Sequence, residues 1–333
     1  MIENLCMYGL PFASRQNEMI EMALTFRFSG IEVDLDEMVR RAEAMGQEFA
    51  TQFVNSANIE VALFRLPIDF GAEPAQFDAA LERLESWCSM AEAIEAKRCY
   101  AMIAPGSDHV AFQENFERHI QRLGQVADRL AKSSIRMGLG LNASAGARSK
   151  YAYQFICKPE ELLTLIKMVD RPNVGLSLDT WHWQLGNGGL DQIQDFDISK
   201  VFDVRLADLP EKYDAATVSL QDRRPPSDQR SGFTVKLLEY LKQKNYDQTI
   251  AAVCSFPDFN DRSRGVKTAQ KIRGVLNRVL KEAGIIEEEY TISVGISEEY
   301  TRHSPSVELE VDDLAEDDIA VDEIEDEDVA STI

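Results

Sequence analysis

Residues 178–183 read Leu-Asp-Thr-Trp-His-Trp, and the turn Gly186-Asn187-Gly188-Gly189 follows directly. A carboxylate and an imidazole three residues apart, at the end of an apolar run, can move protons or hold a polar ligand. The plainer reading makes Asp179 a helix cap and His182 a hydrogen-bonded loop residue. A second apolar run ends in Val204-Arg205-Leu206-Ala207-Asp208, which adds a fixed cation and another carboxylate. Glu32 and Asp34 close an earlier run, so one of them is expected to face inward. Its plainer role is a salt bridge in the wall. Asp179, His182 and Glu32 are therefore the candidate catalytic groups, and Trp183, Arg205, Asp208 and Arg224 (or its neighbour Arg223 in the same polar segment) the candidate ligand-binding ones.

These groups need elements to position them. Short β-branched or apolar runs alternate with longer helical patterns up to about residue 282, which argues for parallel strands joined by crossover helices. Strands are predicted at 4–7, 30–33, 61–66, 98–103, 135–141, 174–178, 201–206 and 250–253. Helices are predicted at 16–28, 36–53, 77–94, 112–130, from Pro159 onward, and at 234–244 and 266–280. A long polar segment, 208–232, separates the last two strands. Eight strand–helix units suit a closed (β/α)8 TIM barrel, in which functional groups gather at the C-terminal ends of the strands. No Gly-rich phosphate loop follows the first strand, so a doubly wound open sheet lacks support.

The chain has 333 residues and a net charge of −22, but the charge is uneven. Residues 287–333 hold 18 acids against one Arg, leaving about −5 for 1–286. We therefore expect a barrel over 1–284 and an acidic, disordered tail over 285–333, free to meet a basic protein partner. A phosphate backbone would be repelled, so nucleic acid is not an expected partner. No run reaches the roughly 18 apolar residues of a membrane span. The five cysteines (Cys6, Cys88, Cys99, Cys157 and Cys254) form no CxxC pair, as in a cytoplasmic protein with reduced thiols.

Several stretches resemble the sugar phosphate isomerase/epimerase family of xylose-isomerase-like TIM barrels. They are Ala104-Pro105-Gly106-Ser107-Asp108, Ile135-Arg136-Met137-Gly138-Leu139-Gly140-Leu141, and above all 173–183, from Asn173-Val174-Gly175 to Trp181-His182-Trp183. The likeness spans roughly 1–282 and omits the tail. It implies one divalent metal held by Glu, Asp, His and Glu from strands five to eight, polarising sugar oxygens during a proton or hydride shift. Carried over residue by residue, those positions hold Gly140, Asp179, Arg205 and Val253, or Cys254 in place of Val253 if the last strand slips one place, so of the four family ligands only Asp179 is kept. Arg205 has no lone pair to give a metal. It is expected instead to supply the missing positive charge by pairing with Asp179.

From this follows a barrel that no longer carries the family metal, a degenerate or repurposed binder of a small polar or sugar-like ligand or of a partner. No cofactor is expected in that case. The alternative is an active sugar (phosphate) isomerase or epimerase with a non-standard site built from Glu32, Asp179, His182 and Asp208. It would bring back a need for Mn, Mg, Co or Zn. An apurinic-site nuclease would need a histidine-rich metal cluster, and the chain has only His109, His119, His182 and His303.

Overall fold

The computed structural model describes residues 1–6, 16–227, 229–230, 232–256 and 264–287. They fall within one compact unit, Met1–Ile292. Eight parallel strands close into a barrel: β1 (Ile2–Leu5), β2 (Gly30–Val33), β3 (Glu60–Arg65), β4 (Arg98–Met102), β5 (Arg136–Gly140), β6 (Val174–Asp179), β7 (Val201–Leu206) and β8 (Thr249–Ala252). Each strand pairs with the next in sequence, and Ile2 and Glu3 close the ring against Thr249 and Ile250. The predicted barrel and all eight of its strands are present.

Strands β2, β6, β7 and β8 are buried along their whole length, which explains their near-continuous apolar sequences. Polar side chains enter only at alternate positions facing the interior, such as Ser177 and Asp179, or Asp203 and Arg205. Gly175 lets β6 approach its neighbour, since a Cβ there would lie 2.0 Å from the Lys200 carbonyl oxygen.

Helices α1 (Gln16–Thr25), α2 (Leu35–Met45), α3 (Gln47–Ser56), α4 (Pro74–Ala93), α5 (Phe112–Leu130), α6 (Pro159–Val169), α7 (Phe233–Gln243) and α8 (Arg264–Glu282) surround the strands. On α5, Leu123, Val126, Ala127 and Leu130 turn inward, as the apolar spacing predicts. The single helix expected over 36–53 is in fact two. Gly46 adopts φ +91° between α2 and α3, a backbone state that breaks the helix and favours glycine. Gly284 ends α8 at φ +66°. The expected tail lies outside the described residues from 288 onward. Among the described residues, no helix is long and apolar enough to cross a membrane.

Candidate functional site

The C-terminal ends of the strands form two unlike regions, and the predicted site residues are divided between them. On the β6–β8 side, Asp179 ends β6 and caps the short helix Thr180–Leu185, accepting from the backbone N–H of Trp181 (3.1 Å) and His182 (3.2 Å). Its second oxygen takes a 2.5 Å charge-assisted bond from an Arg223 guanidinium nitrogen. Arg223 is 2% exposed and also donates through Nε to the Val253 carbonyl (2.9 Å), so it bridges the ends of β6 and β8. Burial alone would raise the Asp179 carboxyl, but the charge of Arg223 and the bonds around it hold it below its ordinary value.

The expected pairing of Arg205 with Asp179 is therefore incorrect. Although the two residues are register partners on β7 and β6, the Asp179 carboxylate is taken by Arg223. Arg205 turns to Asp203, two residues away on the same interior face, with Nε 2.7 Å from the carboxylate. A terminal nitrogen lies 3.5 Å from Glu32, and the guanidinium carbon sits 3.8 Å from the centre of the Tyr100 ring. Asp203 also accepts from Ser177 (2.9 Å) and Thr249 (2.7 Å). Glu32 accepts from Cys6 (2.8 Å) and Tyr100 (2.9 Å). Burial first, then neighbouring Glu32, pushes the Cys6 thiol and the Tyr100 hydroxyl well up. Both keep their protons and serve as donors to the carboxylate.

Gly140 ends β5, and a Cβ added there would meet the Met102 sulfur at 2.4 Å. The thioether thus fills the space in front of this glycine. Val253 lies in an apolar cluster with Cys6 and Ala251. His182 is 4% exposed and accepts a 3.3 Å bond at Nδ1 from the Ala143 N–H. Burial brings its pKa down to about 4, against the pull of Asp179, so the ring is neutral near pH 7.

The remaining predicted residues support loops. Trp183 is 1% exposed, and its indole N–H donates to the Gly189 carbonyl (3.0 Å), pinning the glycine-rich turn. Asp208 accepts from Ser227 N (2.8 Å) and Thr234 Oγ1 (2.8 Å), and its backbone pairs with that of Arg224. That pairing folds the long segment back over the β6–β8 side and delivers Arg223 inward, while the Arg224 side chain stays exposed.

The β2–β5 side is open. A cleft of about 840 Å³ lies there, with Glu32, Tyr100 and Met102 among its lining residues and Arg65, Asn142 and Lys150 among the more exposed ones. Of the predicted candidates, only Glu32 lines it. Sequence reasoning missed the parts played by Cys6, Tyr100 and Asp203, and it left Arg223 in doubt beside Arg224. The i, i+2 spacing of Asp203 and Arg205 was the one available signal, since it puts both on one face of a strand.

Residues 20–275 match the family model described as xylose isomerase-like TIM barrel. A human protein named "Putative hydroxypyruvate isomerase" is 28% identical over 145 residues, which are 42% of this chain and 51% of that one. The chain thus spans about half the length of the first curated relatives it matches. Among solved structures, a xylose isomerase domain protein from Alicyclobacillus acidocaldarius superposes with a TM-score of 0.72 at 20% identity, over 85% of this chain and 99% of the other. The IolI protein, solved with a zinc atom, gives a TM-score of 0.68 at 14% identity, over 88% and 100%. At these identities the structural matches establish the fold alone.

Proposed function

The chain belongs to the xylose isomerase-like TIM-barrel family, and from that premise we propose that it is a repurposed barrel. It binds a small sugar-like ligand at its mouth without a divalent metal at the positions the family resemblance assigns. The observation that carries this reading is the chemistry of those four positions. Gly140 offers no donor, and Met102 fills the space in front of it. Val253 offers only an apolar side chain, in an apolar cluster. Arg205 is a fixed cation locked to Asp203. Asp179, the one carboxylate, already holds the Arg223 guanidinium. A divalent ion beside Asp179 would meet that positive charge at close range and find no second carboxylate or imidazole among these four. The residues do not fit the metal.

What the chain's own groups do is bind and exclude. Asp179 and Arg223 neutralise each other where an ion would otherwise be needed to hold β6 and β8 together. The mouth remains accessible on the β2–β5 side, where a cleft of about 840 Å³ exceeds the volume of a single sugar.

The test is elemental analysis of the purified full chain after incubation with Mn, Mg, Co and Zn salts. We expect no stoichiometric metal and no change in thermal midpoint on chelation. About one ion per chain, lost on Asp179→Ala, would overturn the reading.

A second reading, an isomerase with a non-standard site, is favoured by one observation: Glu32 and Tyr100 both line the cleft. It requires Glu32 to exchange its bonds from Cys6 and Tyr100 for a substrate C–H proton. Incorporation of solvent deuterium into hydroxypyruvate, abolished by Glu32→Gln, would establish it in place of the first.

A further inference from the structure

A helix on the outside of a barrel normally turns its large apolar residues inward. The corner where α2 gives way to α3 does the reverse. Residues 43–49 are exposed without interruption, and a Cβ added at Gly46 would meet nothing within 4 Å. Met45, just before the break, is 60% exposed, and Phe49 and Phe53 on α3 are 41% and 50% exposed. The two phenylalanines stand one turn apart and form a stripe, opposite the buried Thr51 and Val54. Gln52 and Ser56 complete the outward face of α3. The helix also packs on α1, which carries the exposed Leu24.

This face is nearly free of charge. Residues 44–59 hold one charged side chain, Glu48, whereas 28% of the whole chain is charged. A single exposed phenylalanine needs no explanation, but two aromatic rings and a methionine on one uncharged corner do. Charge depletion around aromatic residues and methionine is the composition of an interface core. Two features select what covers it. The first is charge. Copies of a chain at −22 repel each other over most of their surface, and they approach most easily where charge is missing. A strongly charged partner would find little to pair with there. The second is area. Met45, Phe49 and Phe53 expose on the order of 300 Å² of apolar surface, and the polar neighbours on the same face bring this to roughly 500–600 Å² per copy. Twice that area lies at the lower limit of specific interfaces, which suits a reversible dimer and not an obligate one.

We propose that the α2–α3 corner is the contact between two copies of this chain. A contact about a twofold axis places the same patch on both partners. Helix α3 of one copy therefore lies antiparallel to α3 of the other, with Phe49 of one beside Phe53 of the other, and Met45 covers the edge. The centre of this contact holds no ion pair, so salt acts on it only by screening the repulsion between two acidic bodies. The pairing does not depend on what the barrel mouth binds.

The experiment is sedimentation velocity of the purified full chain over a concentration series, at low and at high NaCl. A monomer–dimer equilibrium is expected, with a Kd on the order of tens of micromolar for so small an interface. The dimer should tighten as salt rises. Phe49→Glu and Phe53→Glu should each weaken it about tenfold or more, because each sets a charge in the centre of the contact. Neither should move the thermal midpoint of the monomer, since both side chains are exposed. Met168→Glu, at an exposed methionine on α6, should leave the dimer unchanged. A chain that stays monomeric up to about ten times that Kd would overturn the proposal. So would a dimer that survives both phenylalanine substitutions, or one that salt weakens. Growth into larger species would overturn it as well, because a twofold contact closes on itself.

Discussion

The two sides of the barrel mouth are built from the same strand ends, yet they treat charge in opposite ways. On the β6–β8 side two arginines are drawn inward and clamped: Arg223 on Asp179, Arg205 on Asp203 and Glu32. On the β2–β5 side the acids are tied up by helix ends, backbone amides and neighbouring cations, while Arg65 and Lys150 remain exposed. Burying a charge is costly unless it is paired and hydrogen-bonded, so the first side behaves as core. The second keeps its charges hydrated and available. The difference shows that one barrel mouth can bury paired arginines at some strand ends and leave cations exposed at others, without altering its strand order.

If the β6–β8 side is held by its ion pairs, it should be costly to break there. Asp179→Asn and Arg223→Met should each lower the free energy of unfolding by about 3–5 kcal/mol, because each leaves an uncompensated buried charge or a buried group without its partner. The double substitution should recover part of the loss in a denaturant-unfolding cycle. Strictly additive effects would show that the clamp does not hold this side.

The next effect is acid sensitivity, with one buried histidine on each side. His182 belongs to the β6–β8 side. His119, on α5 beside Phe70 and Phe155, donates from Nδ1 to the Asn115 carbonyl (2.8 Å) and has a buried Nε2 without a hydrogen-bond partner among the described residues. Burial lowers each to about 4. The unfolded chain takes up these protons near the ordinary value of about 6.5, whereas the folded chain waits until about 4. Stability is therefore full above about pH 6.5 and falls as the pH drops towards 4, by roughly 2 kcal/mol per histidine at pH 5. Unfolding at pH 7.5 and 5 should show this loss shrinking by a similar share in His119→Gln and in His182→Asn. If one variant removes it entirely, the two sides are not equivalent in this respect.

The smallest effect concerns the border between the sides. Gly140→Ala should cost about 1 kcal/mol, since the atom in its way is the mobile end of Met102 and not backbone. Adding Met102→Leu, which removes the sulfur and one rotatable bond, should change that cost. Identical penalties in both backgrounds would show that Met102 does not fill the space in front of Gly140.

The barrel was legible because its strands are buried on both faces and its helices on one, so periodicity records the architecture residue by residue. Gly46 was the exception. A helical pattern continues through it, and only its backbone angle separates α2 from α3. At the site, Asp179 was legible as a strand-end carboxylate and as a helix cap, and it is both. The error over Arg205 had a physical cause. Its register neighbour in the adjacent strand is Asp179, but side chains alternate between faces and reach their own i±2 neighbours, and Asp203 lies closer in that sense. Arg223 was not legible, because a segment with no periodicity gives no sign of which of two adjacent arginines turns inward. Cys6 and Tyr100 looked like ordinary core residues, and only the position of Glu32 makes them donors.

The buried cluster around Arg205 also limits the mutational routes by which a metal site of the kind the family resemblance implies could be installed. Replacing Arg205 with histidine alone would leave Asp203 and Glu32 facing each other without their cation, at a cost on the order of 3–5 kcal/mol. That is a large part of the 5–15 kcal/mol that keeps a typical domain folded. A glutamate placed at Gly140 alone would run into Met102, and one at Val253 alone would put an unpaired charge among Cys6 and Ala251. Each single step towards that ligand set is expected to pass through a less stable protein, and only several changes made together would complete it. Natural variation at these positions is therefore expected to be correlated: Arg205 with Asp203, Gly140 with Met102, and Asp179 with Arg223.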